Sequence, residues 1–194
     1  MVFREKTYSV LLVSAVEAFN NTAMTLLPPT DFWPVTVVHS AGEARRRTVD
    51  AQFDIVVINS PLPDDHGVRL ACDLCDGSGS AVLLLVRRDN FEEAGARALE
   101  HGVVTMAKPA PLSSVEQMLR VMCAMRERIV RMEDRRASVD EKIEEIRLVS
   151  RAKWLLIERR GMAEAEAHRY IEKKSMDSRL PRRAVAEQII KELG

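Results

Sequence analysis

The chain has 194 residues, 46% hydrophobic and 30% charged, with no formal net charge, which suits one or two soluble domains with material for a core. No apolar run approaches the ~20 residues of a membrane-spanning helix. Met1-Val2-Phe3-Arg4 leads into no signal peptide, because Tyr8–Val13 is short and lacks a small-residue cleavage pattern, and three cysteines predict a reducing, cytoplasmic setting rather than a disulfide framework.

Five short apolar runs come first: Tyr8–Val13, Val35–Val38, Phe53–Ile58, Ala81–Val86 and Val103–Met106. They are rich in Val, Leu and Ile and do not alternate, as expected of strands buried on both faces of a parallel sheet. Helix-like segments lie between them, near Glu17–Leu27, Ala41–Val49, Val68–Cys75 and Phe91–His101. This alternation predicts an α/β doubly wound, five-stranded parallel sheet. Pro28-Pro29 and Trp33-Pro34 close the first helix and make an extended connection into the second strand.

The stretch FDIVVINSPLPDDHG at the third strand, and HGVVTMAKP at the fifth, resemble the receiver domain of bacterial response regulators over roughly residues 6–120. The resemblance implies a flavodoxin-like fold and a phosphoacceptor pocket built from five features. Four of them are missing here. Ser14 and Ala15 stand where an acidic pair would hold Mg2+, leaving a hard cation no carboxylate. Asn59 stands at the acceptor aspartate, and Val86 at the small hydroxyl residue. Only the lysine, Lys108, is kept. A pseudo-receiver not switched by phosphotransfer is therefore expected. Asp64, Asp65 and His66 read as a solvated loop tip rather than replacement ligands. Cys72 and Cys75 have C-x-x-C spacing but no second ligand pair, so they read as neighbours on one helix face. No metal or cofactor is expected.

From Pro111 the period changes. Val115, Met122, Ile129, Arg136, Ile143 and Ser150 recur every seven residues, with Met118, Met125, Met132, Val139 and Ile146 three residues behind. This a/d heptad has no Gly or Pro and predicts a coiled coil, dimerising through Val115, Met118, Met122, Met125, Ile129, Met132, Val139, Ile143 and Ile146. The competing expectation is a helix packed along its own domain. Arg136 in the seam weakens its middle and sets its register.

The helix should continue without a stop signal to Gly161, a natural residue just past a helix end. A second helix starts near Glu164 and a third at Pro181, with Val185, Ile189 and Leu193 as its apolar stripe. So small a bundle has a small core. Trp154 and Tyr170 are either stacking platforms for bases or, more commonly in such a bundle, buried aromatics. Charge is uneven along the chain: residues 1–134 hold 14 Lys+Arg against 18 Asp+Glu, and residues 135–194 hold 15 against 11. An acidic front and a basic back suit an anionic partner at the C-terminal end.

Arg151-Ala152-Lys153, Glu158-Arg159, Gly161, Ala167, Ser175-Met176-Asp177, Arg179 and Val185-Ala186 resemble the ANTAR domain of transcription antitermination regulators, over about residues 139–193. Two departures stand out: Trp154 where glycine is frequent, and Ala163 where a capping Ser or Thr is frequent. The resemblance implies a dimer that binds paired hairpins in leader RNA and favours the antiterminator over the terminator. The cations expected to contact RNA are Arg151, Lys153, Arg159, Arg160, Lys173, Lys174, Arg179, Arg182 and Arg183. The expected organisation is a pseudo-receiver over 1–112, a coiled-coil helix over 113–138 and an ANTAR domain over 139–194.

No nucleophile–base pair or Gly-rich phosphate loop accompanies the block, so no enzyme is expected. The alternative is a protein-interaction regulator, controlled by a partner that grips the pseudo-receiver or the coil. DNA binding through Pro181–Leu193 ranks lower, for want of helix-turn-helix spacing.

Overall fold

A computed structural model of the chain describes residues 7–194; Met1-Val2-Phe3-Arg4, read above for its lack of a signal peptide, lies outside them. The chain divides into two compact units, Met1–Val130 and Arg131–Gly194. No helix among the described residues is long and apolar enough to cross a membrane.

In the first unit, strands β1 (Tyr8–Val13), β2 (Phe32–Val38), β3 (Ile55–Asn59), β4 (Ala81–Arg87) and β5 (Val104–Lys108) alternate with helices α1 (Glu17–Thr25), α2 (Ala41–Asp50), α3 (Val68–Ser78) and α4 (Phe91–Glu100). The strands pair in parallel in the order β2-β1-β3-β4-β5. Parallel pairing requires a crossover over one face or the other, so both faces are covered. This explains the unbroken apolar runs. Leu11, Val13, Val56, Ile58, Val82 and Leu84 face α2, α3 and α4, which bring Ala44, Leu70, Ala71 and Ala98. Val10, Leu12, Ile55, Val57, Leu83 and Leu85 line the other face.

The second strand begins at Phe32, earlier than the apolar run suggested, and takes Trp33-Pro34 into the sheet. As an edge strand, β2 can hold a proline without losing a ladder bond. A register shift between Tyr8 and Val10 accompanies it.

Helix α5 runs unbroken from Leu112 to Arg160, 49 residues. Its first turns belong to the sheet. Leu119 and Met122 are buried in the second face, with Met118, Cys123 and Met125 packed beside them. The heptad residues Met118, Met122 and Met125 thus spend their apolar surface inside the first unit, which runs to Val130. From Arg131 to Glu144 every residue of α5 is exposed. Polar contacts fix the packed stretch: Tyr8 Oη donates to Glu127 Oε1 at 3.0 Å, and Arg126 Nε donates to Asp54 Oδ1 at 2.9 Å. Asp54 Oδ2 also accepts from the Ser9 N–H and hydroxyl, each at 2.9 Å.

The second unit packs the rear of α5 with α6 (Glu164–Ser178) and α7 (Arg182–Leu193). Ala152, Leu156, Ala167, Ile171, Val185, Ala186 and Ile189 form its core. Three alanines among seven let the helix backbones approach closely.

Burial raises the Asp54 carboxyl, but the Ser9 and Arg126 hydrogen bonds and the Arg126 charge outweigh it, leaving a pKa below the ordinary 3.8. A depressed carboxylate stabilises the fold above its unfolded pKa and loses that contribution as pH falls through the folded value. Asp54→Asn should therefore lower stability at neutral pH and flatten the acid limb below about pH 3.8, measured by urea unfolding across an acid series.

Candidate nucleic-acid interface and the receiver pocket

At the C-terminal ends of the strands, three of the five family positions, Ser14, Asn59 and Lys108, join in a hydrogen-bond network that contains no carboxylate. Ser14, fully buried, follows β1; its Oγ accepts from Asn59 Nδ2 at 3.0 Å and from the Val16 N–H at 3.2 Å. Lys108 Nζ donates to Asn59 Oδ1. Ala15 is exposed, and Val86 is buried among the side chains beneath α4. Burial, with the Arg87 charge, lowers the Lys108 pKa below the ordinary 10.5.

Two neighbours were not singled out in the sequence. Asn20 Nδ2 donates to Ser14 O at 3.2 Å, and His39 Nδ1 lies 3.1 Å from the same oxygen. Asn20 Oδ1 is buried without a protein partner. Among the described residues no group of three or more His, Cys, Asp or Glu could hold a metal.

Asp64 does more than decorate a loop tip. Its two carboxylate oxygens accept from the Ala41 and Gly42 N–H groups at 2.8 and 2.9 Å, at the start of α2. Those bonds lower its pKa, because free N–H groups at a helix start favour negative charge. Asp65 Oδ1 accepts from the Gly67 N–H, in the left-handed turn that opens α3. Cys72 and Cys75 are part-buried thiols whose pKa values are raised by burial and by Asp76, a setting that keeps them protonated and unreactive.

In the second unit α5 ends where expected: Gly161, at φ +66°, donates its N–H to Ile157 O at 3.1 Å. Ala163 caps the start of α6 but has no hydroxyl to offer; Glu166 Oε2 accepts from the Ala163 N–H at 3.0 Å, so half of a capping box is present. Arg179 closes α6 in the left-handed conformation, φ 54°, the one non-glycine residue with positive φ among the described residues. Proline 181 precedes α7 as its cap rather than joining its first turn.

The nine candidate cations differ in their partners. Arg160 stacks over the Tyr170 ring at 5.7 Å and donates to its hydroxyl at 3.2 Å. Glu192 of α7 then joins Arg160 (3.8 Å) to Lys174 (3.7 Å). Tyr170, Lys173, Lys174, Asp177 and Ser178 line a shallow hollow of about 540 Å3 beside them. Lys153 pairs with Glu164, Arg159 with Glu158 and Arg182 with Glu172. Arg183 pairs with Glu187 at 3.0 Å; that bond and charge raise its pKa, with Glu144 and Glu141 adding to the effect. Arg151, Lys173 and Arg179 make no ion pair among the described residues. Trp154, which so small a bundle was expected to bury, is 59% exposed and lies three residues beyond Arg151 on α5, where i, i+3 side chains are neighbours.

Residues 137–190 match the ANTAR domain family. The chain is 27% identical over 167 residues to the transcriptional regulatory protein PdtaR of Mycobacterium tuberculosis, covering 81% of this chain and 78% of that one. It is 26% identical over 147 residues to the aliphatic amidase regulator of Pseudomonas aeruginosa, covering 71% and 72%. Among solved structures, a response regulator receiver domain from Methanospirillum hungatei superposes with a TM-score of 0.55 at 16% identity, covering 63% of this chain and 98% of that one. A chain described as an adenylate cyclase from Rhodopirellula baltica gives 0.59 at 20% identity, covering 66% and 96%. At these identities both likenesses show the fold alone.

Ala163→Ser should complete the capping box and stabilise the C-terminal unit by about 1 kcal/mol, seen as a higher thermal midpoint in calorimetry. An unchanged or lower midpoint would refute the assignment of the missing cap.

Proposed function

We propose that this chain, an ANTAR response regulator with a receiver fold at its front, is an RNA-binding antitermination regulator. In this reading it binds paired hairpins in a leader transcript as a dimer, in the cytoplasm, without phosphorylation of its receiver. The observation that carries the reading is the C-terminal unit itself: a three-helix ANTAR match with exposed cations on every helix.

The physical chemistry of RNA recognition supports it. Sequence-specific proteins usually read unstacked loop bases, with aromatic or guanidinium planes stacking on them and Lys/Arg on phosphates. Exposed ion pairs contribute about 0–1 kcal/mol each, so a phosphate can displace the carboxylates beside Arg160, Lys174 and Arg182. Arg151, Lys173 and Arg179 need no such exchange and head the list. Arg183, close to three carboxylates, falls to its end. Exposed Trp154 joins the candidates as a stacking surface.

Dimerisation is supported by the part of the heptad that the sheet leaves free. Met132, Val139, Ile143 and Ile146 are each at least half exposed, at 57%, 53%, 50% and 65%. Two linked RNA contacts from such a dimer bring an avidity gain. The receiver supports phosphate-independent action, because the Asn59 amide cannot form an acyl phosphate and is already bonded to Ser14 and Lys108.

Gel-shift titration with a tandem-hairpin RNA, without phosphodonor, should give tight binding that scrambling the loops abolishes. Equal, weak binding of both RNAs would refute the reading. Arg179→Gly should relieve the left-handed strain and raise stability by about 1 kcal/mol, yet weaken RNA binding and reduce its salt slope by about one phosphate contact. Ile143→Glu with Ile146→Glu should turn a dimer into a monomer in sedimentation equilibrium and remove the avidity gain. A protein that is monomeric before substitution would instead favour a partner protein on this stripe, and a pulldown with and without RNase would reveal it.

A further inference from the structure

The face of the sheet that carries α1 and α5 is not fully closed. A cavity of about 290 Å3 lies against it, with Leu12, Phe19, Ala23, Leu85 and Leu119 among its walls and Lys108 at its side. Leu12 and Leu85 lie near the C-terminal ends of their strands, beside the β1–β3 boundary where the strand order reverses. In open parallel sheets that boundary is where ligands bind.

Among the described residues no carboxylate compensates the charge beside the cavity. The Lys108 ammonium has three donors, makes a hydrogen bond to Asn59 Oδ1, and has no carboxylate partner among the described residues. Arg87, its register partner on β4, has none either. A part-buried cation beside a second cation costs free energy that an anion would recover. Apolar walls with nothing against them also forgo dispersion contacts. The volume equals roughly ten water volumes of liquid, the size of a ligand with about ten non-hydrogen atoms.

We propose that this cavity binds a small aliphatic monocarboxylate, its chain along the apolar walls and its carboxylate on Lys108. A neutral ligand would leave the ammonium unpaired. A phosphate would leave the apolar walls empty. The site lies wholly in the first unit and is independent of the RNA reading, so it is tested without RNA.

The test is isothermal titration of the full chain with octanoate, and with 1-octanol as the uncharged control. Octanoate should bind at least roughly tenfold more tightly than octanol, the factor expected for one charge-assisted bond. Lys108→Met should erase that preference, and Ala23→Trp, which fills the cavity, should abolish saturable octanoate binding. In the unsubstituted protein, octanoate should shift the methyl NMR signals of Leu12, Leu27, Val57 and Leu85, a readout that does not depend on either variant folding. Equal binding of octanol, a preference that survives Lys108→Met, absence of saturable octanoate binding, or methyl shifts confined to other residues would each overturn the proposal.

Discussion

The stretch of α5 from Leu119 to Glu127 is held on the sheet by two kinds of force at once. Leu119 and Met122 bury apolar surface against the sheet face, while Arg126 and Glu127 bond to Asp54 and Tyr8 at the entry ends of β3 and β1. Burial supplies most of the stabilisation and has no direction. The hydrogen bonds supply direction, fixing which side of the helix meets the sheet. The heptad is divided between two uses: Met118, Met122 and Met125 complete a core, and Met132 to Ile146 form an exposed stripe.

The receiver pocket follows from a similar substitution of one interaction for another. A charged site would hold its residues together through a metal and a phosphate. Here the neutral Asn59 amide bridges Ser14 and Lys108. Lys108 has no carboxylate partner among the described residues, and it forms a side of the apolar cavity.

In the C-terminal unit, charged groups also join the helices to one another. Arg160, Tyr170, Lys174 and Glu192 link α5, α6 and α7 around a small core. Arg179 sits in a backbone conformation that glycine would hold at lower cost. A cation kept there against strain is a better candidate for function than one satisfied within the fold.

Several features were legible from residue order alone, because each depends on local chemistry. Buried parallel strands show as unbroken Val/Leu/Ile runs, and Gly161 marks a helix end since it takes the left-handed conformation without strain. The absent carboxylates at Ser14, Ala15 and Asn59 are a matter of residue type. Other features depend on which distant groups meet, and no pattern announces that. The heptad gave a face but not its occupant; only the packed sheet decided that Met122 belongs to the monomer. Asp64 is exposed, as a loop tip should be, but its bonds to the start of α2 depend on two segments that only the fold brings together. Trp154 looked like core until three alanines and four larger aliphatics filled the bundle without it. Local backbone preference and hydrophobic period are written in neighbouring residues, whereas pairing and exposure are settled by competition among groups far apart in the chain.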